Sequence, residues 1–147
     1  MNYQNTSLIK SKFFEDLNIN DRYIIPSRTQ TSGIFSMFQA ASGDNDPIHY
    51  DVEYCKQKGH PNMWAHGIQV LMQTAAGAGS FPNEVKDSLI GMIEIFGKIL
   101  KPVYREDTLY PELIISKLTP QKTTGIVEMR AIVHNQNKIL VFEGYHK

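Results

Sequence analysis

Asp44 and His49 stand five residues apart in the run Ser42-Gly43-Asp44-Asn45-Asp46-Pro47-Ile48-His49. A carboxylate and an imidazole at that spacing can share one water or one substrate proton, provided the connector between them is stiff. Pro47 supplies the stiffness, because it biases Asp46 away from helical angles and keeps the chain open. Taken singly, each residue has a bland reading: an Asp before a proline loop is ordinary turn chemistry, and a lone loop histidine is usually just satisfied. It is the joint spacing that points to chemistry. The same run also gathers Asp44, Asp46, His49 and Asp51 as metal-ligand types. An EF-hand fails, since Ile48 and Cys55 occupy places that need oxygen donors. Asp44, Asp46 and His49 follow no recognised zinc spacing, so no metal site is expected. Cys55 has no evident activating neighbour for a nucleophile. Gly77-Ala78-Gly79 leads to Pro82 rather than a third glycine, which leaves no dinucleotide loop.

The flanking sequence must position this pair. Upstream, Ile34, Phe35, Phe38 and Ala41 fall on one helical face, with Thr31 or Ser32 as N-cap and Gly43 as stop. Downstream, Asp51 can cap a second helix carrying Glu53 early, Lys56 and Lys58 late, and Gly59 at its end. Residues 1–18 read as a loose arm or one short helix, and a brief strand is expected around Ile19–Pro26. From Gly67 to Gly79 the residues Ile68, Leu71, Met72, Ala75 and Ala76 recur at helical spacing. That helix is expected to be apolar nearly all round and buried. Gln69 and Gln73, one turn apart on it, suit a hydrogen-bond network or a subunit contact. Beyond Pro82 the period becomes two: Leu89–Ile99, Leu109–Leu118, Thr123–Val133 and Lys138–Tyr145 read as strands, with Asn135-Gln136-Asn137 as a hairpin turn. A helix apolar on every side needs a sheet curled around it, so the expected architecture is α+β, a curved antiparallel sheet wrapped on a central helix.

Bulk properties narrow the function classes. With 147 residues the chain makes one domain with a proper core. Fifteen basic and fifteen acidic residues cancel, giving no electrostatic case for nucleic acid or an anionic membrane. The apolar runs are too short or too interrupted for a bilayer span. The N-terminus has no basic start followed by an apolar run, and the single cysteine excludes an internal disulfide, so a cytoplasmic location is expected. His60, His134 and His146 join no constellation and are expected at the surface. Lys98, Lys101 and Arg105 read as solvated strand ends, with a carrier's phosphates as the other reading.

Ser42, Gly43, Asp44, Pro47, Ile48 and His49, followed by Asp51, resemble the signature of the MaoC-like acyl dehydratases, the (R)-specific enoyl-CoA hydratases. Ala65-His66-Gly67 is similar to the segment opening that family's central helix, and Lys101-Pro102-Val103 with Asp107-Thr108 to a strand and turn of it. Asp46 departs from the pattern, which has Asn there; an extra acid could alter the loop's hydrogen bonds or raise the proton affinity of Asp44. The resemblance implies a single hot-dog domain over residues 1–147. It implies reversible syn addition of water to a 2-enoyl thioester, giving an (R)-3-hydroxyacyl thioester, with no cofactor beyond the coenzyme A or acyl carrier of the substrate. Asp44 and His49 would hold the catalytic water, with His49 as base and Asp44 orienting it and relaying the proton. Gly67 would offer its backbone N–H to the thioester oxygen, aided by the helix dipole, and His66 would bind substrate or support the site from behind. Trp64 and Met63 would line the acyl pocket or the core. A hot-dog thioesterase and a non-catalytic thioester-binding module are the competing functions. Open sheet edges add the expectation of a homodimer or higher homo-oligomer.

Overall fold

The computed structural model describes residues 9–147. The N-terminal part of the expected arm, residues 1–8, lies outside the described residues. The rest of that arm is not loose. Lys12 forms an ion pair with Glu84 at 2.8 Å, a 3-10 turn runs over Phe14–Asp16, and Leu17 is buried in the core.

The two helices framing the Asp44–His49 loop form as the sequence predicts. Helix α1 (Ser32–Ser42) buries Phe35 and Phe38, and Gly43 ends it in the left-handed region at φ +73°, donating its N–H to Gln39 O. Helix α2 (Val52–Gln57) is capped by Asp51, whose carboxylate accepts from Glu53 N and Tyr54 N. Between them Pro47–His49 makes one 3-10 turn, itself capped by the Asp46 carboxylate on Ile48 N.

Among the described residues the sheet has six antiparallel strands: β1 (Arg22–Ile24), β2 (Arg28–Thr29), β3 (Ile95–Ile99), β4 (Thr108–Pro120), β5 (Gly125–Asn135) and β6 (Leu140–His146). The order is β1-β4-β5-β6-β3, with β2 beside β4, so β3 crosses over to pair with β6 at the far edge. Directly paired residues share a face. Leu113, Ala131, Gly144 and Gly97 therefore lie in one row, and Ile115, Met129, His146 and Ile95 in the next. The row Pro111, Val133, Phe142 and Ile99 continues the same face. Gly97 and Gly144 let β3 close on β6: a Cβ on Gly144 would stand 2.0 Å from Phe96 O.

Three expectations need correction. The central helix is not continuous over Gly67–Gly79. It is α3 (Gly67–Leu71), followed by 3-10 turns at Met72–Thr74 and Ala76–Ala78. The Thr74 hydroxyl donates to Leu71 O in competition with the backbone, and Ala75 leaves helical angles at ψ 117°. Nor is the helix buried all round. Its inward face carries Gln69, Val70, Gln73 and Thr74, while Ile68 is 59% and Met72 45% exposed. Gln69 donates to Gln30 Oε1 and Gln73 to Gln69 O, so the glutamines do form a buried network. Second, only Ile95–Ile99 of the expected strand Leu89–Ile99 is regular, and every residue of it is exposed because it is the sheet edge. Third, His146 is 5% exposed rather than at the surface. Its register on the inner face sets it against Thr74, with Nε2 at 2.9 Å from the hydroxyl, and burial pushes its pKa down.

Candidate active site

Asp44 follows the left-handed Gly43 directly, so the turn that stops α1 also aims the carboxylate. Oδ1 accepts from Asp46 N at 3.0 Å, and Oδ2 lies 2.9 Å from His66 Nε2. The Asp46 N–H, and behind it His49 and His66, hold the Asp44 carboxyl below its ordinary range against a partial desolvation. The Asp46 carboxylate is turned to Ile48 N, and what reaches Asp44 is a backbone N–H.

His49 closes the 3-10 turn. Its Nδ1 lies 2.5 Å from the carbonyl of Trp64, which can only accept, so Nδ1 carries the proton and Nε2 keeps its lone pair. One more bond fastens the loop to the segment 63–65, from Trp64 N to Ile48 O, and the Cys55 thiol of α2 donates to the same oxygen. On its other side that segment is held by Ala65 N to Val103 O.

His66 is the N-cap of α3, with Nδ1 accepting from Ile68 N at 3.1 Å. Its ring lies 5.0 Å from Phe38 and 5.1 Å from His49, centroid to centroid. Asp44, His49 and His66 each present one atom within 4.8 Å of the others, all half-buried, a grouping that has the composition of a metal site. The tautomers oppose that reading. For His66 to ligate through Nε2, its proton would move to Nδ1 and face the Ile68 N–H, at the expense of the helix cap. Asp46 and Asp51, the other acids of the run, are both engaged as caps.

Gly67 opens α3, where a first-turn N–H has no intrahelical acceptor. It lines a cleft of about 250 Å³ with His66, Ile68, Leu71, Gly97, Ile99 and Phe142. A Cβ on Gly67 would come within 3.3 Å of Ile99 Cγ1, so the bare backbone is what keeps this approach open. With only five residues in α3, the dipole expected of a long helix contributes less, and the N–H itself is the feature that remains.

Around the site, Met63 is buried in the core and Trp64 packs on His60, ring centroids 4.8 Å apart. Arg105 is turned to Ser32 Oγ and Glu106, and Lys98 sits opposite Glu143 in the β3–β6 register. A larger cavity of about 950 Å³ lies at the other end of the 67–78 segment, walled by Phe13, Phe14, Phe81, Ile93, Met129 and His146 among others. Sequence reasoning missed it because its walls come from segments that carry no regular period. The Trp64 carbonyl that fixes the His49 tautomer was equally invisible, since a backbone group has no signature of its own.

No family model matches this sequence, and no curated protein does. Its fold has clear counterparts among solved structures. The monoamine oxidase regulatory protein from Archaeoglobus fulgius superposes with a TM-score of 0.82 at 22% identity, over 93% of this chain and 92% of that one. The (R)-hydratase PhaJ1 from Pseudomonas aeruginosa gives 0.76 at 21% identity, over 94% of this chain and 84% of that one. A Mycobacterium tuberculosis protein, Rv0216, described as a double hot-dog fold, gives 0.76 at 19% identity, over 92% of this chain and 43% of that one. The curled antiparallel sheet on a central helical segment is accordingly a hot-dog fold of the α+β class.

Proposed function

We propose that this protein is a MaoC-like hydratase that adds water reversibly, in syn fashion, to a 2-enoyl thioester to give an (R)-3-hydroxyacyl thioester. One observation carries the reading. The Asp44 carboxylate and the His49 ring, whose Nδ1 is tied to the Trp64 carbonyl, are two hydrogen-bond acceptors grouped within 4.8 Å of each other and of His66, the residue that itself lines the small cleft with Gly67. A water between them donates one proton to each, which leaves an oxygen lone pair directed at a third partner. In the forward reaction that partner is the β-carbon. As the C–O bond forms, His49 Nε2 takes the water's proton and the double-bond electrons move toward the thioester carbonyl. The oxygen gains negative charge, which the Gly67 N–H stabilises; loss of such a donor typically costs about a hundred- to a thousand-fold in rate. His49 then returns its proton to the α-carbon from the same face, which makes the addition syn and restores the neutral ring. Asp44 stays ionised throughout and keeps the water aligned. PhaJ1, a structural counterpart, is an (R)-hydratase, which supports the choice of reaction.

The functional unit in this reading is a homodimer. Edge strand β3 is exposed along its whole length, and it adjoins the exposed side of α3 where Ile99 meets Gly67. Ile68 lines the cleft with Ile99, and Met72, Ile93 and Ile95 are further exposed apolar residues of these segments; a second copy would cover them while pairing the open strand edge. The cleft beside Gly67 opens at that edge, so the second copy would also wall it. Among the described residues no helix is long and apolar enough to cross a membrane.

The test is loss of enoyl-thioester ultraviolet absorbance over short, long and branched 2-enoyl-CoAs, with a parallel free-thiol assay. Absorbance loss without thiol release, absent in Asp44→Asn, is the expected result. Thiol release would establish a thioesterase instead. Ligand binding without turnover, indifferent to Asp44→Asn and His49→Asn, would establish a binding module.

A further inference from the structure

We infer that His66 is a positioning residue of this site: its Nε2–H fixes the plane of the Asp44 carboxylate, through a tautomer that the Ile68 N–H dictates. The inference rests on the hydratase reading and assigns His66 a task within it. The Ile68 N–H points at Nδ1 from 3.1 Å, so Nδ1 must be the lone-pair nitrogen and Nε2 must carry the proton. Asp44 Oδ2 lies 2.9 Å from that nitrogen, within reach of its proton. Both ring nitrogens are therefore engaged, and neither is left to bind substrate.

The Asp46 N–H alone, on Oδ1, would leave the Asp44 carboxylate free to turn about that contact. A second donor on Oδ2 removes the freedom, and the remaining lone pairs then point where the water must sit. Phe38 packs on the ring of His66 and holds its orientation. One side chain thus joins the two halves of the reaction. It caps the segment that presents the Gly67 N–H to the thioester oxygen, and it orients the acid that holds the water.

Two substitutions separate positioning from mere capping. In His66→Asn the amide oxygen takes the place of Nδ1, a favourable N-cap for Ile68 N–H, but the side chain is too short to reach Asp44. In His66→Gln the amide nitrogen takes the place of Nε2 and restores a donor to Asp44. The expected results are a near-normal melting temperature for His66→Asn, a kcat lower by roughly 10- to 100-fold with little change in KM, and partial recovery of kcat in His66→Gln. The titration of the Asp44 carboxyl, followed by carbon NMR without substrate, should move upward in His66→Asn. Wild-type kcat in a folded His66→Asn protein, or an unmoved Asp44 titration, would overturn the inference. If wild-type protein hydrates no enoyl thioester, the hydratase reading falls, and the Asp44 titration alone still decides whether His66 holds the acid.

Discussion

Replacing His49 by Asn tests the base most cleanly, because the structure lets one function be removed while another is kept. The ring makes one structural bond, from Nδ1–H to the Trp64 carbonyl at 2.5 Å, and presents one chemical feature, the Nε2 lone pair. An Asn amide N–H can replace the first and has nothing in place of the second. General-base assistance is worth about 10² to 10⁴ in rate, or roughly 3 to 5 kcal/mol of barrier. The structural loss is bounded by one hydrogen bond, about 1 kcal/mol if the amide fails to reach the carbonyl. For a chain of this size that is a fall of roughly 2 to 4 °C in melting temperature. Initial hydration rates on a 2-enoyl-CoA, beside thermal melts of both proteins, report the two quantities separately. The expected outcome is a rate lower by at least two orders of magnitude in a protein that melts nearly as the wild type does. A variant that melts normally and keeps more than about a tenth of the wild-type rate would place the base elsewhere.

Asp46→Asn should leave both rate and pH profile close to wild type, because an Asn side-chain oxygen can accept from Ile48 N as the carboxylate does, while the backbone N–H to Asp44 is untouched. A displaced acid limb would show that the Asp46 charge does reach Asp44. Asp44 itself has a folded pKa below its ordinary 3.8, so its ionised form contributes stability that is complete above that value and lost as pH falls through the folded pKa. Asp44→Asn should therefore flatten the acid limb of stability below about pH 4, read as the acid-unfolding midpoint. His146 has the same sign: burial lowers its folded pKa below 6.5, so wild-type stability holds above that pH and declines as pH falls beneath it. His146→Phe should remove that decline, whose slope cannot exceed about 1.4 kcal/mol per pH unit, and denaturant melts at pH 7 and pH 5 would show whether it does. Ile95→Lys places a charge on the open edge of β3 and should convert a dimer to a monomer in sedimentation velocity; an unchanged mass would move the subunit contact to another face.

What the sequence made legible was local. The α1 stop at Gly43, the Asp51 cap of α2 and the proline-stiffened loop between them are set by residues within a few positions of one another, and all three form as read. The alternation Val127, Met129, Ala131, Val133 likewise identified the inner face of β5. What failed depended on partners far along the chain. His146 looked unattached because nothing near it in sequence explains it; only the β5–β6–β3 register, opposite Met129 and Ile95, sets it on Thr74. The segment 67–79 looked like a helix buried on all sides because its apolar residues outnumber its polar ones. Yet burial went to Gln69 and Gln73, which find Gln30 and the backbone as partners, and exposure went to Ile68 and Met72.

That inversion bears on function. Burying amide side chains while leaving large aliphatic ones open is costly for an isolated chain, since each buried amide must be satisfied and each exposed aliphatic forgoes burial. The cost makes sense only if the aliphatic side is covered. Ile68 lines the Gly67 cleft with Ile99 of edge strand β3, which pairs only with β6 among the described residues. A second copy would cover the apolar residues, pair the strand and wall the cleft at once. The pair proposed as catalytic lies within one loop of one chain, but the pocket that presents substrate to it is expected to need two. A monomeric Ile95→Lys variant should therefore keep the Asp44 titration of the wild type while losing affinity for enoyl-CoA; if it binds substrate as the dimer does, the site is complete in a single chain.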